Sequence, residues 1–146
     1  MQEPPDELAF LMKEGVKEAL EAIHKDCDIA VVSSANPEAV KAEWERHGLL
    51  KNVDLICTQD MGSKAYCISK IVEMGYKNTN VLMCGDAVGD MKAAESNGVF
   101  YYPILVNHEN ESWGSLVPEA LSKFIAGSYE GEYQKKVIGE FLDNLK

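Results

Sequence analysis

The stretch Val81-Leu82-Met83-Cys84-Gly85-Asp86-Ala87-Val88-Gly89-Asp90 constrains the fold of this chain more than any other. An apolar run stops at one Gly-Asp pair, a second pair follows, and helix formers then lead to Asn97-Gly98. That order reads as a buried strand, a tight turn and a helix closed by glycine. In an open parallel sheet the loop leaving the carboxyl end of a strand faces the ligand crevice, so Asp86 and Asp90 are expected to share it. Two carboxylates in one small space repel, and a hard cation such as Mg2+ relieves them by taking oxygen ligands while keeping waters that a phosphate can replace. The structural alternative is that Asp86 caps the turn and Asp90 is the N-cap of the helix.

The flanking sequence repeats the alternation of strand and helix. Ile29-Ala30-Val31-Val32 is a β-branched run suited to a strand buried on both faces, and Ser33-Ser34-Ala35-Asn36-Pro37 after it offers hydroxyls, a cap and a first-turn proline. A helix through Val40 and Trp44 to His47 is stopped by Gly48, and Val53–Cys57 is the next strand. Gly62-Ser63-Lys64 opens a helix running to Met74-Gly75. Lys64 sits at an end that favours negative neighbours, which suits either a solvated surface or a lysine meeting a bound anion. Val99–Val106 is a last strand, with Pro103 marking an edge. Before these elements, Leu8, Leu11, Met12, Val16, Ala19, Leu20 and Ile23 recur at helical spacing, with Gly15 as a divider and His24 at the helix end, where the dipole favours it. After them, Asn107–Ser112 reads as a polar loop, followed by amphipathic stretches from about Val117 to Ile125 and Tyr133 to Leu145. Trp113, Phe124, Tyr129, Tyr133 and Phe141 are expected to pack there, not to form a ligand box.

With 146 residues, the expected organisation is a single α/β domain: lead-in helices over 1–28, an α/β core over 29–106, and a loop and helices over 107–146. Fourteen Lys and Arg against twenty-four Asp and Glu give a net charge of −10, which opposes broad attraction to nucleic acid or to an anionic membrane. No segment approaches the roughly 18 apolar residues of a membrane span, and Met1–Pro5 lacks the regions of a signal peptide. Cys27, Cys57, Cys67 and Cys84 have no Cys-x-x-Cys spacing, so a reducing cytoplasm is the expected compartment.

Taken in order, Ile29–Ser34, Gly62-Ser63-Lys64 and Gly85–Asp90 make the chain resemble the haloacid dehalogenase superfamily of phosphatases and related hydrolases, from about Gly15 to Pro103. The resemblance implies a Rossmann-like three-layer sandwich with a mainly parallel sheet of about four strands. It implies that Ser33 and Ser34 bind phosphoryl oxygens, that Lys64 neutralises the phosphate, and that Asp86 and Asp90 hold Mg2+ directly or through water. Phosphoryl transfer is chiefly positioning and charge stabilisation, which suits a hydroxyl, an ammonium and a metal. The implied partner is a phosphorylated small molecule.

One family motif has no counterpart: a strand ending in Asp-x-Asp, whose first Asp is the nucleophile. Asp6-Glu7-Leu8 follows two prolines, and Asp26-Cys27-Asp28 precedes its strand instead of ending one. The chain alone is therefore expected to be inactive, with Mg2+ binding weak or lost, and without the cap domain. The central strand of the family is expected to be missing. Direct pairing of the Val31 and Val81 strands is the favoured remedy, ahead of Leu8–Met12 folding as a replacement strand, and an unfilled centre would favour a homodimer. Two functional readings stand: a carboxyl-terminal piece of a phosphatase, or a degenerate phosphate-binding or regulatory module. A receiver-like signalling domain ranks third, since Asp86 lacks acidic partners on earlier strand ends.

Overall fold

The strand run at Val81 sits inside a five-stranded parallel sheet. The computed structural model describes residues 9–12, 17–33, 36–46 and 48–145. In chain order the elements are β1 (Ala9–Met12), α1 (Lys17–His24), β2 (Asp28–Val32), α2 (Pro37–Arg46), β3 (Leu55–Cys57), α3 (Lys64–Glu73), β4 (Val81–Gly85), α4 (Val88–Ser96) and β5 (Phe100–Pro103). Then follow α5 (Glu109–Ser115), a π-helical turn over Leu116–Leu121, α6 (Ser122–Ala126) and α7 (Glu132–Asn144). The sheet order is β3-β2-β1-β4-β5.

Strand alternation divides the core in two. Ile29, Val31, Leu82, Cys84, Phe100 and Tyr102 meet Leu20 and Ile23 of α1, Trp44 of α2 and Phe124 of α6 on one face. Ala30, Val32, Val81, Met83 and Tyr101 meet Ile68 and Ile71 of α3 and Ala94 of α4 on the other. Successive strand side chains point to opposite faces, so a run apolar at every position needs helices on both sides. This is the expected three-layer α/β sandwich, and among the described residues there is no inserted cap.

The centre of the sheet differs from expectation. The strands carrying Val31 and Val81 do not pair directly. β1 lies between them, with Met12 level with Val31 on one side and with Cys84 on the other. The sheet therefore has five strands instead of about four, and the central position is filled. Ala9-Phe10-Leu11-Met12 belongs to both a three-and-four spacing and a continuous apolar run, and over so few residues the two periods cannot be told apart. Tertiary demand decides: two parallel strands with unmet backbone donors and acceptors recruit a third. The helix begins beyond it, at Lys17. The argument for a dimer built on an empty centre falls away with that centre.

Two further differences lie at the carboxyl end. Glu109–Ser115 is helical where a loop over Asn107–Ser112 was expected, and Leu116–Leu121 forms the π-helical turn. Pro103 does close an edge strand. α7 covers that edge, and the Gln134 side chain accepts a hydrogen bond from the Tyr101 backbone N–H at 2.8 Å. Phe124, Tyr129 and Tyr133 are buried packing residues of the first face, where Trp113 also packs, and Phe141 is buried in the core of the second.

Candidate functional site at the carboxyl rim of the sheet

The register sets the geometry of the rim. Ser33 lies two residues past Val31 and Asp86 two past Cys84, and both reference residues are level with Met12. Ser33 and Asp86 thus leave the sheet at one height, about 10 Å apart, or two strand spacings. The Ser33 N–H donates to the Cys57 carbonyl at 2.9 Å, which ties the end of β2 to that of β3. Ser34 lies outside the described residues, as does His47.

Beyond Asp86 the chain turns into α4 with Ala87 as N-cap, so Asp90 is not the cap but the third residue of the helix. Its Oδ2 accepts from the Ala87 N–H at 3.2 Å, covering a donor that the helix end leaves unmet. Its Oδ1 receives the Lys64 ammonium at 2.5 Å. Asp90 is fully buried, while the Lys64 side chain is 19% exposed. The pair joins the first turn of α3 to the first turn of α4, and Lys64 is held at that end by the Ser63 N-cap, whose hydroxyl accepts from the Tyr66 N–H.

Gly85 makes the close approach possible. A Cβ there would stand 2.5 Å from Asp90 Oδ2. The Tyr101 hydroxyl, buried on β5, donates to the Gly85 carbonyl at 2.8 Å and approaches the Ala87 carbonyl at 3.3 Å. Burial, then the Asp90 charge, pushes this phenol above its ordinary range, so it keeps its proton and stays a donor. Tyr101 was missed in the sequence, although a tyrosine inside a buried strand signals a hydroxyl in need of a partner. Thr58, also missed, is buried just past β3 and donates to Asp60 Oδ1 at 2.6 Å.

Lys64 and Asp90 are thus brought together, with the half-buried Asp86 at the exit of β4 and Ser33 at the exit of β2, two strands away on the same rim. Asp28 lies at the other end of the sheet, where its Oδ2 accepts from the Tyr76 hydroxyl at 2.5 Å. His24 bonds the Asp54 carboxylate at 3.0 Å, a partner beyond the dipole that the sequence offered. No cluster of three or more His, Cys, Asp or Glu side chains able to hold a metal ion occurs among the described residues.

A family model for haloacid dehalogenase-like hydrolases matches residues 7–103. Among solved structures the chain is similar to the NMR structure of the core domain of a putative phosphoglycolate phosphatase from Streptococcus pneumoniae TIGR4, at 16% identity and a TM-score of 0.56. That match covers 72% of this chain and 82% of the other. A comparison with curated proteins finds no match. No described helix is long and apolar enough to cross a membrane.

Proposed function

The chain belongs to the haloacid dehalogenase-like hydrolase family, and from that premise we propose that its rim binds the phosphoryl group of a phosphorylated small molecule. The observation that carries this reading is the buried Lys64–Asp90 pair. A lysine ammonium taken out of water costs several kcal/mol unless its charge is met. Asp90 meets it, and Asp86 stands at the exit of β4, four residues earlier in the chain. In the proposed complex, Lys64 neutralises phosphate oxygens, and the Ser33 hydroxyl donates to another from the end of β2. Ser34 serves the same group from the residue that follows.

Mg2+ fits this donor set in a restricted way. Asp90 already has an N–H on one oxygen and an ammonium on the other, so Asp86 is the carboxylate to hold the ion, with phosphate oxygens and water completing its shell. A bound Mg2+ would supply further neutralisation of phosphate charge. Asp90 then acts as the positioning residue for Lys64, not as a direct ligand.

The strand at the centre of the sheet runs Ala9-Phe10-Leu11-Met12 and continues in sequence as Lys13-Glu14-Gly15, with no Asp-x-Asp. The proposed role of the chain as it stands is therefore phosphate-ester binding without turnover through a phosphoaspartyl intermediate. Calorimetric titration with inorganic phosphate, with and without Mg2+, tests it, together with an assay on p-nitrophenyl phosphate. Saturable phosphate binding that weakens at least tenfold in Ser33→Ala, and no release of nitrophenol, is the expected result. Absence of phosphate binding would overturn the site; turnover by the unaltered chain would overturn its inactivity.

A further inference from the structure

We propose that Tyr101 is a positioning residue for Asp86, its buried hydroxyl fixing the turn from which that carboxylate holds Mg2+. The proposal rests on the reading of Asp86 as the carboxylate for the ion. On either side of Asp86 in the chain stand the carbonyls of Gly85 and Ala87, and the Tyr101 hydroxyl donates to the first at 2.8 Å and approaches the second at 3.3 Å. One phenol on β5 thus bridges the last residue of β4 and the N-cap of α4, the two residues between which Asp86 leaves the sheet.

Neither carbonyl needs that hydroxyl in order to be satisfied. Gly85 also accepts from the Ile104 N–H at 2.7 Å, and Ala87 from the Asp90 N–H at 3.0 Å in the first turn of α4. What the hydroxyl adds is a tie between strand end and helix start. A phenylalanine would fill the same buried space with no hydroxyl to take out of water, so the phenol carries a desolvation cost that this tie offsets.

Tyr101 is itself held on all sides. Its N–H donates to Gln134 Oε1 at 2.8 Å, and its carbonyl accepts from the Tyr129 hydroxyl at 2.7 Å. Its ring is 1% exposed and meets the Phe141 ring edge-on, with 5.7 Å between centroids. A side chain locked by packing and hydrogen bonds is the kind of support that keeps a metal-binding carboxylate in one geometry. All three partners lie beyond residue 103, where the matched family stretch ends. The carboxyl-terminal segment therefore bears on the rim through Tyr101.

In the test, Mg2+ is titrated calorimetrically into the full chain saturated with inorganic phosphate, and phosphate is titrated separately without Mg2+. Tyr101→Phe should weaken saturable Mg2+ binding about tenfold, the low end for losing a group that orients a metal ligand. Mg2+-free phosphate binding should stay unchanged, because the Lys64–Asp90 pair keeps its bonds. Tyr102→Phe is the matched control: Tyr102 is the next residue of β5, buried on the opposite face, and its hydroxyl donates to the Ser112 carbonyl at 2.6 Å. That variant should bind Mg2+ as the parent chain does, and Asp86→Asn should not bind it. Thermal melts establish that each variant is folded. In the unaltered chain, saturation with Mg2+ should also shift the NMR resonance of the Tyr101 ring carbon that bears the hydroxyl and leave that of Tyr102 in place. Parent-like Mg2+ binding in Tyr101→Phe, an equal loss in Tyr102→Phe, or an unmoved Tyr101 resonance overturns the proposal and leaves Asp86 as the ligand. Mg2+ binding that is absent from the parent chain, or that persists in Asp86→Asn, overturns the reading of Asp86 itself and the proposal with it.

Discussion

Lys64 and Asp90 depend on each other more than either depends on solvent. Replacing Lys64 by Met keeps the aliphatic stem but leaves a fully buried carboxylate with the Ala87 N–H as its remaining bond. The expected cost is about 3 kcal/mol, the low end for a broken buried pair because Lys64 retains some water contact. The urea midpoint checks it, and a variant as stable as the parent chain would mean that Asp90 is solvated. Gly85→Ala acts on the same pair from the other side, because the added methyl would stand 2.5 Å from Asp90 Oδ2 and displace it. About 1–3 kcal/mol should be lost, with weaker phosphate binding, since Lys64 moves with its partner. Ser33, Lys64, Asp86 and Asp90 were legible because each sits at a strand exit or a helix entry, which sequence marks with Gly, Ser and Asp. Their mutual arrangement was not. That Asp90 answers Lys64 is a contact across 26 positions, and local spacing carries no trace of it. The Tyr101 hydroxyl under Gly85 escaped for the same reason.

Between elements, the decisive contact is the pairing of β1 on both sides, with β2 and with β4. A proline in such a strand removes a ladder hydrogen bond whichever neighbour it faced, and prolines are confined to edges for that reason. Leu11→Pro should therefore destabilise the sheet by about 3 kcal/mol or more, seen as loss of the cooperative urea transition by circular dichroism. Little change would argue that β2 and β4 close on each other when β1 is withdrawn. The longer elements of the core were readable because their periods run for two or more turns, or because they form continuous apolar runs bounded by Gly, Ser or Asp. β1 is too short for its period to speak, and its identity as a strand comes from the gap it fills. α5 was read as loop because Asn107–Ser112 is polar throughout. Its buried side is supplied by Ser112, whose hydroxyl accepts from the Leu105 N–H and whose carbonyl accepts from the Tyr102 hydroxyl. A hydrogen-bonded anchor of that kind leaves no apolar stripe in the sequence.

Across the whole molecule, alkaline pH should oppose folding, and the sign follows from which state holds the protons. Burial raises the Cys27 thiol from its ordinary 9.0 to about 12 and the Cys57 thiol to about 11. Burial also raises Tyr101, Tyr102 and Tyr129, whose hydroxyls donate to the carbonyls of Gly85, Ser112 and Tyr101 and so need their protons in the native state. Once pH passes about 9, unfolded thiols ionise while native ones do not, so the native state binds more protons and stability falls with rising pH. The loss should begin near pH 9 and continue through pH 11, with no contribution from these groups below pH 8. Self-repulsion of a chain already at −10 acts in the same direction, but salt distinguishes the two. Half-molar NaCl screens exposed charges within a few ångströms and does little for a buried thiolate. Urea midpoints at pH 8 and pH 10.5 should therefore differ in high salt nearly as much as in low salt. Phenolate absorbance from the buried tyrosines should rise with unfolding and not ahead of it. A midpoint difference abolished by salt would assign the alkaline weakness to the surface field and remove burial of the thiols as its cause.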